Sequence, residues 1–152
     1  MKIEPLELLG QSKSAPLVKE FLRQVGLSPE KIKLKRGDSE AAFEFEDIGF
    51  DVNFVDPEGV HTLGTHAEGD LVIGAVFMYA KDVQGHRQFG GALPQSLQFA
   101  LARKEVHALL GSPGWSSPAL PIDRWSVEAY DLTIWFTPDS IIQHVIAHLR
   151  KK

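Results

Sequence analysis

Six histidines are the residues of this chain best placed to do chemistry, and His144 and His148 stand four apart. On a helix that spacing puts two imidazoles on one face, an arrangement that chelates zinc. No glutamate stands between them in an H-E-x-x-H pattern. The segment also reads as a strand, where the pair is too widely spaced to share an ion easily. Two surface histidines beside the basic tail Arg150-Lys151-Lys152 account for the pattern more simply. His61 and His66 lie in a glycine-containing stretch with Glu58, Glu68 and Asp70, which reads as a hydrated loop. No metal site is expected, and no cofactor.

Nucleophilic catalysis finds no support in the residue types. There is no cysteine, no G-x-S-x-G elbow, and Gly90-Gly91 runs into Ala92-Leu93-Pro94 where a phosphate-binding loop needs Lys and Ser/Thr. Glu44, Glu46, Asp47 and Asp51 form the densest group of acids. Paired carboxylates can do acid–base work, but here Glu44 and Glu46 alternate with Phe43 and Phe45, the pattern of a solvated strand face. The same acids, on a chain of net charge −4, are also what an inhibitor of a basic protein presents. Arg87 and Arg124 lie among aromatics (Phe89, Trp125), either as structural cations paired to a carboxylate such as Asp123 or as part of a partner surface, where Arg and Trp dominate binding energy. The candidate partner-binding set is therefore Glu44, Glu46, Asp47, Asp51, Arg87 and Arg124. Lys31, Lys33, Lys35 and Arg36 form a basic stripe without interleaved aromatics, which suits edge-strand protection better than nucleic acid.

The elements that must position these residues read out in order. Ser14 is placed to cap a helix that starts at Pro16, carries Leu17, Val18, Phe21, Leu22 and Val25, and stops at Gly26. Ile32 and Leu34 alternate with lysines as on a half-exposed strand. Phe43-Phe45 and Phe50-Val52-Phe54 read as a hairpin around Asp47-Ile48-Gly49, and Leu71 to Ala80 as a central strand covered on both faces. Val83 to Gly91 is a loop. A second helix spans Ala102 to Leu110, Gly114 to Pro121 is a Pro/Ser-rich connection, and strands follow at Trp125–Val127, Leu132–Phe136 and Ile141–Leu149. Residues 43–54 overlay residues 125–136 without a gap, with aromatic on aromatic at both ends. That self-similarity decides for strand in the last segment, whose stripe fits a helix equally well. The expectation is an α+β domain over 1–152, built from two tandem helix-β-β-β repeats (about 12–82 and 96–150), with one antiparallel sheet and helices packed on one face.

The total of 152 residues suits one domain, and 43% hydrophobic with 24% charged residues suits a folded chain. The first residues carry Glu4 and Pro5 where a signal peptide needs an apolar run, so the cytoplasm is the expected compartment. Neither a membrane span nor nucleic-acid binding is expected, because the longest apolar stretch is short and the chain is acidic.

Arg103-Lys104-Glu105-Val106-His107-Ala108-Leu109-Leu110-Gly111-Ser112-Pro113 resembles the R-x-x-V-x-x-L-L-G-x-P helix end of tandem repeats of the β-lactamase-inhibitor-protein type. Outer-membrane assembly lipoproteins use a similar unit. Tyr79, Arg87-Gln88-Phe89, Gly91, Leu93-Pro94 and Asp123-Arg124-Trp125 resemble a pattern in small cytoplasmic proteobacterial proteins, some of them immunity proteins encoded beside toxins. The missing signal peptide and cysteines depart from the first two groups, so their location and substrates do not transfer. The resemblance implies a protein-binding inhibitor that neutralises a basic toxin or effector by occlusion, without catalysis. An adaptor module that binds another protein is the alternative. An enzyme or small-ligand binder using the concave sheet face is disfavoured by the missing constellations.

Overall fold

Proline opens a helix readily, because a first-turn residue has no intrahelical N–H bond to lose. The computed structural model, which describes residues 2–62, 64–67 and 69–152, shows α1 at Pro5–Leu8 and α2 at Pro16–Val25. Gly26 closes α2 in the left-handed region at φ 75°. The residue before Pro16 is Ala15, and Ala15 rather than Ser14 is the N-cap. Ser14 is drawn away instead: its backbone N–H donates to Ser12 Oγ, and its hydroxyl lies 2.7 Å from that of Ser12. The third helix, α3, spans Arg103–Leu110, and Glu105 reaches back to accept from the Ala102 N–H at 3.0 Å.

The strands are β1 Glu40–Phe45, β2 Phe50–Val55, β3 Val72–Tyr79, β4 Trp115–Ser116, β5 Ile122–Ser126, β6 Asp131–Phe136 and β7 Ile142–His148. They form one seven-stranded sheet in the order β1-β2-β3-β7-β6-β5-β4, antiparallel at every pairing. The architecture is therefore α+β around a single antiparallel sheet. The ambiguous last segment is a strand, and it lies at the centre of the sheet between β3 and β6.

Alternation divides the sheet into two faces. Phe50, Val52, Phe54, Val76, Met78, Leu132, Ile134, Phe136, Val145 and Ala147 are all at most 2% exposed and form the core face. Phe21 of α2 meets the rings of Phe45 and Phe50 edge-on at 5.6 and 5.7 Å, and Val106 of α3 is fully buried in the same core. Burying such side chains contributes roughly 1.5–3 kcal/mol each, which is what holds the helices to the sheet.

Several expectations need correction. Lys31, Lys33 and Lys35 do not line a strand: Pro29–Lys31 is a single 3-10 turn and Ile32 is pinned in the core, where its carbonyl accepts from Lys13 Nζ at 2.9 Å. The edge strands are β4 and β1, and the exposed residues of β1 are Glu40, Ala42 and Glu44. The Pro/Ser-rich connection contains β4, paired to β5 through Trp115 and Arg124. β3 is an inner strand, but Ala75 and Phe77 on its second face are only partly buried. The two hairpins also differ in register: Phe43 pairs with Val52, whereas Trp125 pairs with Leu132. Core-facing residues follow the sequence overlay, while the turns, bounded by Phe45 and Phe50 and by Ser126 and Asp131, are one residue out of step with it. Among the described residues, no helix is long and apolar enough to cross a membrane. Glu68 lies outside the described residues.

Candidate functional site

The strand register lines up one residue from every strand on the face opposite the core. Glu44 pairs with Asp51, Asp51 with Phe77, Phe77 with Ile146, Ile146 with Thr133, Thr133 with Arg124, and Arg124 with Trp115. Phe77 and Ile146 at the centre are partly exposed, Arg124 and Glu44 are exposed, and Trp115 is 45% exposed. A second row, Asn53, Ala75, His148 and Asp131, borders a groove of about 520 Å³ lined also by Glu40, Arg124 and Ile146. A third row, Tyr79, His144 and Trp135, lies on the other side, with Tyr79 and His144 buried. This open face has an apolar middle, acids on the β1 side and a guanidinium on the β5 side.

Arg124 is held in place from two sides. Its Cζ sits 5.0 Å from the Trp115 ring centroid, and its Nε donates to Thr133 Oγ1 at 3.1 Å. The Thr133 hydroxyl in turn lies 2.9 Å from His148 Nε2, and with its oxygen accepting from Arg124 it donates to the imidazole. Burial, and then the Arg124 charge, hold the His148 pKa below its ordinary value, so His148 is the neutral acceptor that this hydrogen bond needs. The guanidinium is held against the Trp115 ring, and Arg124 remains exposed.

Asp51 behaves differently from the other three acids. It is 6% exposed, and its Oδ1 accepts from the Phe45 N–H at 3.2 Å and stands 2.7 Å from His86 Nε2. His86 Nδ1 faces the carbonyls of Val83 and Gln84 at 3.0 and 3.2 Å. Both ring nitrogens thus face acceptors, which only the imidazolium can satisfy. Burial works against that charge, but the Asp51 carboxylate and the two carbonyls outweigh it, and the His86 pKa is raised. The pair closes the loop after β3 down onto the sheet. The His86 ring stacks on Tyr79 at 3.8 Å, Tyr79 on His144 at 5.0 Å, and His144 on Trp135 at 5.5 Å. Burial and the nearby Asp51 carboxylate push the Tyr79 hydroxyl well above its ordinary range. With both nitrogens engaged and the ring 2% exposed, His86 has no lone pair to offer a substrate.

The buried acid of β5 is Asp123, fully buried. Arg103 grips it through Nε at 2.8 Å and Nη2 at 2.6 Å, His107 Nε2 approaches at 2.6 Å, and Ser116 Oγ donates at 2.6 Å. Burial alone would raise its pKa, but these donors bring it down to about 2. Ser, His and Asp meet here, yet the serine bonds the carboxylate and not the imidazole, so nothing activates it as a nucleophile. The cluster ties α3 to β4 and β5.

The remaining candidates lie together at one end of the sheet. Glu46 and Asp47 occupy the 3-10 turn between β1 and β2, and Arg87 lies in the loop after β3, its backbone N–H donating to Glu46 O at 2.9 Å. Glu46, Asp47 and Arg87 are exposed. The structure therefore places Glu44, Asp51 and Arg124 in one row, with Glu46, Asp47 and Arg87 at its corner. Sequence reasoning missed Trp115, Phe77, Ile146 and Trp135, and also His86. Alternation along β3 and β7 marks Phe77 and Ile146 as facing away from the core, but nothing local shows that they neighbour each other. No family model, no curated protein and no solved structure matches this chain.

Proposed function

We propose that this chain is a protein-binding inhibitor without chemistry of its own, an immunity protein that neutralises a basic toxin by covering its active site with the open face of the sheet. The observation that carries this reading is the row Glu44–Asp51–Phe77–Ile146–Thr133–Arg124–Trp115, one residue from each strand. Interfaces draw most of their energy from a few aromatic and arginine side chains in a partly apolar centre, surrounded by a polar rim. Phe77 and Ile146 are a partly apolar centre, Trp115 with its stacked Arg124 is an aromatic–arginine pair at the β4 end of the same row, and Glu44, Glu46 and Asp47 form an acidic rim for a cationic partner. On the same reading the three-strand runs β1-β2-β3 and β5-β6-β7 are two copies of one unit, each preceded by a helix, and the helices share the core face and leave the other to the His86 loop and the open rows.

The test is co-expression with the product of the adjacent gene. Protection should fall when Trp115 or Arg124 is changed to alanine, with a loss of binding of about 2 kcal/mol or more. The double change Glu44→Arg, Glu46→Arg should instead slow association and do so more at low salt, as rim charges act. If the adjacent product is harmless alone, or equally toxic with and without this protein, the inhibitory reading fails and an adaptor role replaces it.

A further inference from the structure

The open face is complementary to itself. β3 and β7 meet at its centre, β1 lies two strands out from β3, and β5 lies two strands out from β7. Glu44 on β1 and Arg124 on β5 belong to the same lateral row, so the two charges lie at equal distances, about 12 Å, either side of the centre line. Both are exposed, and among the described residues neither has an ion-pair partner. Between them lie Phe77 and Ile146, paired across that centre line and only partly buried.

We infer that a second copy of this chain closes over this face, about a two-fold axis that runs along the strands between β3 and β7. That rotation places Glu44 of one copy over Arg124 of the other, twice, and Phe77 of each over Ile146 of the other. Stacked sheets settle at about 30° to one another, which moves a position 12 Å from the axis by about 6 Å, a shift that long Glu and Arg side chains absorb. A closed two-fold contact uses the same patch on both copies, so the assembly stops at the dimer. The loop carrying His86 covers Asp51 and the row of Tyr79 and His144, so the contact falls on the first two rows, which span about 29 Å across the strands and about 7 Å along them. That footprint is smaller than ordinary specific interfaces, so the dimer is weak and forms only as concentration rises. The inference goes beyond the inhibitory reading: self-association hides the apolar centre between encounters with an unlike partner, and its test needs no partner.

Sedimentation velocity over a range of concentrations tests it on four samples: the native chain, Glu44→Arg, Arg124→Glu, and an equimolar mixture of the two variants. Circular dichroism melts establish that both variants are folded, which exposed positions should allow. The native chain should shift from monomer to dimer as concentration rises. Each single reversal should weaken the dimer about tenfold or more, because the symmetry repeats every like-charge contact. The mixture restores both opposite-charge contacts and should recover dimerisation to near the native level. A native chain that stays monomeric at every concentration, a dimer unaffected by either reversal, or a mixture no better than the single variants would each overturn the proposal. A monomer throughout would leave this face to an unlike partner, so the inhibitory reading can stand when this one fails.

Discussion

His144 is the group whose protonation should cost this fold most. Its ring is 6% exposed, stacked between Tyr79 and Trp135, and its Nδ1 is buried without a hydrogen-bond partner among the described residues. Burial, and then the positive charge of His86, lower its pKa from 6.5 to about 4. The sign follows from linkage: the unfolded chain binds this proton more tightly than the folded one, so stability falls as pH drops below 6.5 and the penalty is complete near pH 4. At 1.36 kcal/mol per unit, the full penalty is about 3 kcal/mol.

His144→Phe removes the proton site and the orphaned nitrogen while keeping a flat ring in the stack. The slightly larger ring adds an offset of about 1–3 kcal/mol in either direction from packing and the lost desolvation penalty. That offset is the same at every pH, so the informative quantity is the change in the difference between the two proteins. Urea unfolding at pH 7.5 and pH 4.5 measures it. The native chain should lose about 2–3 kcal/mol more than His144→Phe between those two values. Parallel pH profiles for the two proteins would refute the reasoning, and so would a His144 that titrates near 6.5 by NMR in the folded state.

Two further perturbations probe the scaffold that holds the open face. Gly49 has φ 66°, and a Cβ there would lie 2.1 Å from Arg87 O and 2.6 Å from Phe89 N, so Gly49→Ala should cost about 3 kcal/mol or more by thermal or urea unfolding. Asp123→Ala strands Arg103, His107 and Ser116 and should destabilise by about 3–5 kcal/mol. Because the folded-state pKa of Asp123 is depressed, its contribution is present above about pH 4 and lost only as pH falls towards 2, which an acid titration of native chain against variant detects.

The parts of the fold that were legible in the sequence are those that a local pattern dictates. Pro16 and Gly26 bracket α2, alternation of Phe50, Val52 and Phe54 forces β2, and α3 follows from Val106 and its neighbours before Gly111. The failures have equally local causes. The alternating lysines at 31–35 mimic a strand, but Pro29 starts a turn and Ile32 is claimed by the core. The acids of the hairpin were visible as a cluster, yet one residue type concealed two environments. Asp51 shares the open side of the sheet with Glu44 but is covered by His86, a residue 35 positions away in the chain. No spacing rule within one segment reveals a partner that a loop delivers after another strand has formed. The Phe77–Ile146 pair at the centre of the open face is illegible for the same reason, since it depends on which strand β7 chooses as its neighbour.

That choice also orders assembly. β7 is the last strand in the chain, yet it occupies the middle of the sheet, pairing with β3 on one side and β6 on the other. Until it inserts, β3 and β6 are both edges, with unpaired backbone groups along Val72–Tyr79 and Asp131–Phe136. The same strand supplies His144, Ile146 and His148, one residue to each of the three rows of the open face. It therefore joins the acidic side of that face, set by β1 and β2, to the arginine side, set by β5. Neither half alone presents an apolar centre flanked by opposite charges. A surface made in this way exists only once the whole chain has folded, so the binding proposed for it depends on the longest-range contact of the sheet and not on any single hairpin.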